Sequence, residues 1–344
     1  MSTPNRTEIA TLGEFGLIKH LVKDFELKNS STIKGVGDDA AILDYGSKQV
    51  LVTTDLLLEG VHFDLTYVPL RHLGYKSAIV NFSDICAMNG YPKQITVSLG
   101  VSKRFSVEDM EELYAGIKIA CDKYGVDLVG GDTSASMTGL AISITCMGEV
   151  DKDKVAKRST AKDTDLICVS GDLGAAYMGL LLLEREKKVF TGDEKVQPDF
   201  SGKEYIIERQ LKPEARKDIV EALARINVVP TSMIDISDGL SSELLHICDQ
   251  SGVGCRVYED RIPIDFQTAT MAEEFNMNLT TVALNGGEDY ELLFTVPLSM
   301  NDMFQNLPGI KIIGHITDAS LGSCIITRDG QEISLKAQGW NSLG

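Results

Sequence analysis

Paired acidic residues in a glycine-containing turn are the first feature of this sequence that could do chemistry. Asp38 and Asp39 are adjacent within residues 35–41, a segment that also contains Gly35 and Gly37. Neighbouring carboxylates repel each other, and glycines in a fixed turn cost backbone entropy. A positive partner would offset both costs, so we expect a cation to bind beside this segment.

Further aspartates stand where apolar runs of the sequence end. They are Asp55, Asp84, Asp132 and the pair Asp235 and Asp238. Functional groups gather at the ends of buried elements in α/β proteins. A single aspartate in such a place is usually a turn former or a helix cap. Five acidic segments without His or Cys instead favour a hard cation, Mg²⁺ or Ca²⁺, over zinc.

The familiar nucleotide-binding signatures are absent from the sequence. It has no Gly-x-x-x-x-Gly-Lys-Ser/Thr loop, and Gly252-Val253-Gly254 lacks the third glycine of a dinucleotide fingerprint. A polyphosphate that approaches several aspartates is repelled unless divalent cations lie between them. The pattern therefore favours a metal-bridged phosphate site, and a structural Ca²⁺ protein remains the alternative.

The segment from Asp235 to Gly239 precedes a predicted helix and has two interpretations. In the simpler one, Asp238 caps the helix through its carboxylate. In the functional one, Asp235 binds a metal ion and Ser237 contacts a phosphate at the positive end of the helix.

Four single residues outside the acidic turns could contact a substrate. Glu288 follows Gly286-Gly287 and could hold a cationic or hydrogen-bonding group. Arg158 is either a solvated surface charge or an arm that reaches polyphosphate. His62 has the sequence context of a structural histidine. Trp340 either anchors the C-terminal tail or stacks on a heteroaromatic substrate.

Composition limits the class of protein and its partners. The chain has 344 residues with 43% hydrophobic content, enough for two domains that each have a core. Acidic residues exceed basic ones, 50 to 33, which argues against nucleic acid or an anionic membrane as partner. Seven scattered cysteines, a polar N-terminus and the absence of long apolar runs predict a cytoplasmic protein with reduced core thiols.

The elements that must position these residues alternate between strands and helices, which predicts α/β (α+β) layers. The charged segment 149–154 is the predicted boundary between domains 1–150 and 151–344, and 185–212 is predicted to be a mobile surface excursion. Helices are predicted over 8–28, 73–87, 107–124, 174–184, 215–226 and 240–248, and strands over 50–53, 96–101, 127–129, 141–148, 165–170, 254–258, 291–296, 311–317 and 324–328.

Together these motifs resemble the thiamine-monophosphate kinase family of the aminoimidazole-ribonucleotide synthetase-like superfamily. The resemblance covers nearly the whole chain, and the motifs occur in the same order. They are Gly35-Val-Gly-Asp-Asp-Ala-Ala41, Thr53-Thr-Asp55, Gly60-Val-His62-Phe63, Val80-Asn-Phe-Ser-Asp84, Gly130-Gly-Asp-Thr133, Asp235-Ile-Ser-Asp-Gly-Leu240 and Gly286-Gly-Glu-Asp-Tyr-Glu-Leu292.

The resemblance implies a two-domain fold whose N-terminal domains pair into a shared β-barrel in a homodimer. It implies direct transfer of the ATP γ-phosphoryl group to thiamine monophosphate, with several Mg²⁺ ions and no phosphoenzyme or obligatory general base. The implied metal ligands are Asp38, Thr53, Thr54, Asp55, Asp84, Asp132, Asp235 and Asp238. The implied ATP contacts are Tyr114, Gly131, Asp132, Arg158 and Ser237, and the implied substrate contacts are His62, Glu288 and Trp340.

Other functions are compatible with parts of the pattern. An ATP-dependent enzyme like aminoimidazole-ribonucleotide synthetase is the second enzymatic interpretation. A noncatalytic nucleotide- or metal-binding module is the interpretation from another class, and it would bind ATP without turning over any acceptor.

Overall fold

The computed structural model describes residues 32–34, 37–44, 46–189 and 200–337. The helix predicted over 8–28 lies outside the described residues, and so does Trp340.

A six-stranded sheet forms the N-terminal half of the described chain. Its strands are β1 (Thr32–Lys34), β2 (Ala41–Asp44), β3 (Lys48–Leu58), β4 (Tyr91–Val101), β5 (Asp127–Ala135) and β6 (Leu140–Asp151). They lie in the order β1-β2-β3-β6-β4-β5, and only the β4–β5 pair is parallel. The long antiparallel pairing of β3 with β6 places the residues of β3 at the centre of the sheet.

Two helices cover this sheet, α1 (Leu70–Ala87) and α2 (Val107–Tyr124). They can approach closely because Gly116 has no side chain. A Cβ at this position would collide with the carbonyl oxygen of Arg71. Helix α2 begins and ends at the predicted residues, where Ser106 and Asp109 form a capping box and Gly125 adopts a left-handed conformation. Helix α1 is buried on nearly every side, so it forms a central layer of the molecule.

A seven-stranded sheet forms the C-terminal half. Its strands are β7 (Leu166–Ser170), β8 (Ser232–Asp235), β9 (Val253–Tyr258), β10 (Leu292–Val296), β11 (Ile310–Asp318), β12 (Ser323–Ile326) and β13 (Glu332–Ser334). They lie in the order β13-β12-β9-β11-β7-β10-β8, with β9 and β12 parallel and the other pairs antiparallel. Strand β8 is an edge strand of this sheet and contacts α1 of the N-terminal half.

The helices of the C-terminal half surround this sheet. They are α3 (Ala175–Val189), α4 (Glu204–Leu211), α5 (Lys217–Arg225), α6 (Leu240–Ser251), α7 (Phe266–Glu274), α8 (Leu279–Asn285) and α9 (Asn301–Gln305). Both α4 and α5 contact α1, and one continuous core contains Phe82 of α1 together with Met233 and Phe294 of the C-terminal sheet. The two halves of the described chain therefore share a hydrophobic core.

Several predictions from the sequence need correction. Asp55, Asp84 and Asp132 do not stand at the ends of elements, because they lie inside β3, α1 and β5. The predicted excursion over 185–212 is wrong for α4, which buries Ile206 and Gln210 against its neighbours. Strands β1, β2, β8 and β13 and helices α4, α7, α8 and α9 were not predicted as elements. The division between residues 150 and 151 stays a prediction.

Two composition-based expectations can be compared with the described residues. All seven cysteines are buried and free, in agreement with reduced core thiols. Among the helices that the structure describes, none has the length and apolar character needed to cross a membrane.

Candidate metal and phosphate site

Strand β3 and helix α1 bring the first acidic side chains together. Along β3, residues alternate between the two faces of the sheet, so Thr53 and Asp55 share one face. This face meets α1, where the Thr53 hydroxyl donates a hydrogen bond to Asp84 Oδ2 at 2.5 Å. The side chain of Asp84 is therefore held over the middle of the sheet.

Three carboxylates from separate elements converge at this point. One oxygen each of Asp39, Asp84 and Asp235 lies within 4.8 Å of the others. Asp39 comes from the turn before β2, Asp84 from α1, and Asp235 from the last position of β8 in the C-terminal half. Ser83, next to Asp84 on α1, donates a hydrogen bond to Asp235 Oδ2 at 2.5 Å. The group is thus assembled across both halves of the molecule.

Burial and mutual repulsion disfavour the ionised forms of Asp84, Asp235 and the nearby Asp55. Burial, followed by the nearby carboxylates of Asp55 and Asp235, raises the pKa of Asp84 well above its ordinary value. Burial and the carboxylate of Asp39 likewise raise the pKa of Asp235. Burial raises the pKa of Asp55 to about 6. A cation among these oxygens would remove the repulsion and stabilise the ionised forms.

Arg158 supplies the nearest fixed positive charge. Its guanidinium contacts both carboxylate oxygens of Asp39, with Nε at 2.9 Å from Oδ2. Its backbone N–H donates to Asp38 Oδ1 at 3.1 Å, and Lys34 Nζ lies 2.6 Å from Asp38 Oδ2. Burial would lower the pKa of Arg158, but the carboxylates of Asp39 and Asp38 outweigh burial and raise it. The guanidinium therefore stays charged beside the acidic group.

The loop between β8 and α6 adds Ser237 and Asp238 to the site. The N-cap position of α6 is Gly239, so Asp238 stands one residue before the position that its capping interpretation requires. The loop is instead held by Glu243 on α6, whose Oε1 accepts hydrogen bonds from the Asp238 N–H at 2.9 Å and from the Ser237 hydroxyl at 3.4 Å. The carboxylate of Glu243 is buried, and burial raises its pKa well above the ordinary value.

The segment that contains Glu288 lies directly against this loop. Backbone N–H groups of Glu288 and Tyr290 donate to the carbonyls of Ser237 and Ile236 at 2.7 and 2.9 Å. Gly287 is required here, since an added Cβ would stand 2.5 Å from the Ser237 carbonyl oxygen. Glu288 adopts a left-handed backbone conformation, with φ of 65°. The two acidic motifs therefore form one continuous edge of the site.

Among the described residues, four other implied site residues make no hydrogen bond or ion pair with Asp39, Asp84 or Asp235. The Thr54 side chain lies on the opposite face of β3 and donates to the Ile144 carbonyl. Asp132 is exposed on the edge strand β5, next to Gly131. Tyr114 packs against the N-terminal core from α2. His62 accepts a hydrogen bond from the Leu58 N–H through Nδ1, which agrees with its structural interpretation.

Ser83 and Glu243 were not singled out from the sequence, and Asp39 was singled out with Asp38 but was not among the implied metal ligands. The signal for Asp39 was its position as the second member of the acidic pair. Ser83 precedes the predicted ligand Asp84. Glu243 had no signal beyond its position in the first turn of α6, where an acidic residue is ordinary.

The side chains present fit a magnesium ion. Three carboxylate oxygens from a rigid strand, helix and turn are hard ligands, and the hydroxyl of Thr53 is next to them. The raised pKa values of Asp84 and Asp235 indicate that an added positive charge would relieve an existing repulsion. Asp39, Asp84 and Asp235 are the residues that would hold the ion, and Asp55 is close enough to raise the pKa of Asp84.

The sequence of this chain is similar to the sequences of known proteins. The family model of AIR synthase related protein, N-terminal domain, matches residues 37–150, and that of the C-terminal domain matches residues 165–325. The thiamine-monophosphate kinase of Aquifex aeolicus is 37% identical over 286 residues, covering 83% of this chain and 86% of that protein. The thiamine-monophosphate kinase of Bacillus subtilis is 33% identical, covering 96% of this chain and 99% of that protein.

A solved structure extends the similarity to three dimensions. The structure of AaThiL complexed with AMPPCP and TMP has a TM-score of 0.83 to this chain and 34% sequence identity, and 99% of each chain is covered. The predicted two-domain α/β fold is thereby confirmed. The chain belongs to the thiamine-monophosphate kinase family, within the AIR synthase related proteins.

Proposed function

We propose that this chain transfers the γ-phosphoryl group of ATP to thiamine monophosphate and so makes thiamine diphosphate, the last step in its biosynthesis. The observation that carries the proposal is the convergence of Asp39, Asp84 and Asp235, which belong to three motifs of the family. Two further findings support it. Relatives that match most of the chain are thiamine-monophosphate kinases, and the structure of AaThiL contains AMPPCP, an ATP analogue, together with TMP.

The proposed reaction is a direct in-line displacement. A phosphate oxygen of thiamine monophosphate forms the new bond to the γ-phosphorus, the bond from that phosphorus to the β,γ-bridging oxygen breaks, and ADP leaves. Magnesium ions would neutralise the phosphate charge when bound, and Asp39, Asp84 and Asp235 would hold them. Positioning and charge neutralisation suffice for this chemistry, so we propose no phosphoenzyme and no obligatory general base.

The remaining side chains have binding roles in this proposal. Arg158 contributes a guanidinium that stays charged beside the acidic group and could contact a phosphate oxygen. Ser237 stands at the N-terminal end of α6, where a hydroxyl and the helix dipole favour an anion. Glu288 would accept a hydrogen bond from the amino group of the pyrimidine ring. The implied roles of Asp38, Thr54, Asp132, Asp238, Tyr114, Gly131, His62 and Trp340 stay predictions.

We also propose a homodimer in which the N-terminal domains form a shared β-barrel, and a cytoplasmic location. Support for the dimer comes from β5, an edge strand whose nine residues are all exposed in the single chain, including Leu128 and Val129. An edge strand that exposes apolar side chains is usually covered by another chain or another element.

The test is an assay of purified protein with ATP and Mg²⁺, in which ADP is measured and the product is identified by chromatography. Thiamine monophosphate, thiamine and no acceptor are compared in parallel. We expect thiamine diphosphate from the monophosphate alone, and its formation should stop with EDTA. ATP binding without acceptor-dependent ADP would contradict the proposal and favour a noncatalytic module. ADP release only with an aminoimidazole-ribonucleotide precursor would favour the second enzymatic interpretation.

A further inference from the structure

A buried lysine of helix α1 contacts Glu288 across the two halves of the molecule. Lys76 is only 6% exposed. Its Nζ lies 2.9 Å from Glu288 Oε1 and donates a hydrogen bond to the Gln210 carbonyl at 3.0 Å. A buried ammonium group is costly unless it is paired, so this pair explains how Lys76 is tolerated inside the molecule.

Gln210 of helix α4 completes the arrangement around Glu288. Its side chain is also buried, and Nε2 donates a hydrogen bond to Glu288 Oε2 at 2.9 Å. Each carboxylate oxygen of Glu288 therefore has one donor, Lys76 on one side and Gln210 on the other. Two donors from different helices fix the plane of the carboxylate as well as its position.

Glu288 is nevertheless open to a ligand. Its side chain is 32% exposed, whereas that of Lys76 is 7% exposed. A carboxylate has about four lone-pair sites, so sites remain for a donor that arrives from solvent. The backbone of Glu288 is anchored to the loop of Ser237, which joins it to the acidic site. The carboxylate is thus fixed by Lys76 and Gln210 on its buried side and accessible to a ligand on its solvent side.

We propose that Lys76, assisted by Gln210, is the positioning residue for Glu288 and sets the affinity for the phosphoryl acceptor. The acceptor class is a compound with an amino or cationic nitrogen group that donates to the Glu288 carboxylate. This inference rests on the proposed function, because thiamine monophosphate provides such an amino group. In this proposal Lys76 and Gln210 act through Glu288, since Lys76 Nζ and Gln210 Nε2 both contact its carboxylate.

The primary test is the Lys76→Met variant, which keeps the length of the side chain and removes the ammonium group. We expect the KM for thiamine monophosphate to rise about tenfold, as for loss of one charged hydrogen bond to the binding group. The KM for ATP and kcat should change by less than about threefold. Lys118→Met is the matched control, because Lys118 also makes an ion pair, with Asp122, but on the exposed face of α2. It should behave as wild type.

A double-mutant cycle with Glu288→Gln separates positioning from a general structural role. If Lys76 acts through Glu288, Lys76→Met should change the KM for thiamine monophosphate by less than about twofold in the Glu288→Gln background. Equal effects in both backgrounds would overturn the proposal. So would an unchanged KM for thiamine monophosphate in Lys76→Met, or an equal rise in both KM values.

Gln210→Met provides the same test if Lys76→Met does not fold. It removes the donor to Glu288 Oε2, and the Gln210 Oε1 atom has no hydrogen-bond partner to lose. A smaller rise in the KM for thiamine monophosphate, abolished in the Glu288→Gln background, supports the proposal, and an unchanged KM overturns it. Wild-type protein that makes no thiamine diphosphate would instead show that the proposed function fails.

Discussion

At the scale of single residues, the carboxylates of the site destabilise the folded chain when no cation is bound. Asp84 faces the carboxylates of Asp55, Asp235 and Asp39, and each of them raises its pKa in addition to burial. When an acidic group has a higher pKa in the folded chain than in the unfolded chain, the folded state loses stability as the pH rises above the pKa of the unfolded chain. The proposed metal-binding role of these carboxylates would therefore oppose the stability of the metal-free fold.

The first prediction concerns Asp84→Asn. The amide oxygen can still accept the Thr53 hydrogen bond, while the repelling charge is removed. We therefore expect the thermal midpoint of the metal-free protein to rise by about 2 °C or more near pH 8. The gain should shrink toward about pH 5, where the native carboxyl is increasingly protonated. Differential scanning calorimetry in EDTA at both pH values measures this.

The same variant should lose activity while it gains stability. Loss of a ligand to the phosphate-bridging ion should lower kcat/KM for thiamine diphosphate formation about a hundredfold or more. Asp44→Asn is a suitable control, since Asp44 pairs with Lys152 outside the site. An Asp84→Asn protein with wild-type activity, or one less stable than wild type at the higher pH, would remove Asp84 from the proposed metal site.

At the scale of elements, the site depends on two helices that contribute different kinds of support. Helix α1 passes through the middle of the molecule and presents Lys76, Ser83 and Asp84 from one rigid body. Helix α6 instead supports a loop, because Glu243 in its first turn accepts hydrogen bonds from the backbone of Asp238 and the hydroxyl of Ser237. Phosphate contacts at a helix start require that loop to hold its shape.

The second prediction separates the acceptor atom of Glu243 from its charge. Glu243→Gln retains an oxygen that can accept from the Asp238 N–H, whereas Glu243→Leu leaves that N–H without its partner. We expect Glu243→Leu to raise the KM for ATP about tenfold or more, in the range observed for groups that orient site residues. Glu243→Gln should stay within about threefold of wild type.

Steady-state kinetics and circular dichroism of both variants check this prediction. The far-ultraviolet spectrum establishes that each variant retains its helices, so a change in KM can be assigned to the loop. If Glu243→Gln loses as much ATP affinity as Glu243→Leu, the charge of Glu243 matters and the hydrogen bond does not account for its role.

The sequence predicted elements best where one face of an element meets solvent. Helix α2 was predicted to the residue, and its start was marked by a cap at Ser106 and acidic residues in the first turn. Helix α1 was predicted over 73–87 with Asp84 inside it, but it is buried on nearly all sides, so its sequence could not show which elements Asp84 faces. The contacts of Lys76 with Glu288 and of Ser83 with Asp235 join residues more than 150 positions apart. Local patterns carry no information about such contacts.

At the scale of the whole molecule, the site exists only because both halves meet on helix α1. Strand β8 and helices α4 and α5 contact α1 from the C-terminal side, and the sheet of β3 and β6 contacts it from the N-terminal side. Within the described residues, an edge of the N-terminal sheet that exposes apolar side chains is uncovered. Strand β5 pairs with β4 along one side, and its other side has no partner strand within the described residues. Leu128 and Val129 on β5 are about half exposed.

The third prediction tests whether a second copy of the chain covers β5. We expect wild-type protein to have the mass of a dimer in light scattering at micromolar concentration. Val129→Asp should shift it toward the monomer, because a carboxylate at a buried strand interface is costly to desolvate. Val107→Asp is the control, since Val107 is 69% exposed at the start of helix α2. It should leave the mass unchanged.

The outcome also decides how the edge of the N-terminal sheet is protected. A dimeric wild type with monomeric Val129→Asp would mean that the edge is covered by self-association, the arrangement expected for a shared barrel. A wild type that is monomeric over this concentration range would contradict the dimer. Another part of the same chain would then have to cover the edge of β5, and the N-terminal domains would form no shared barrel.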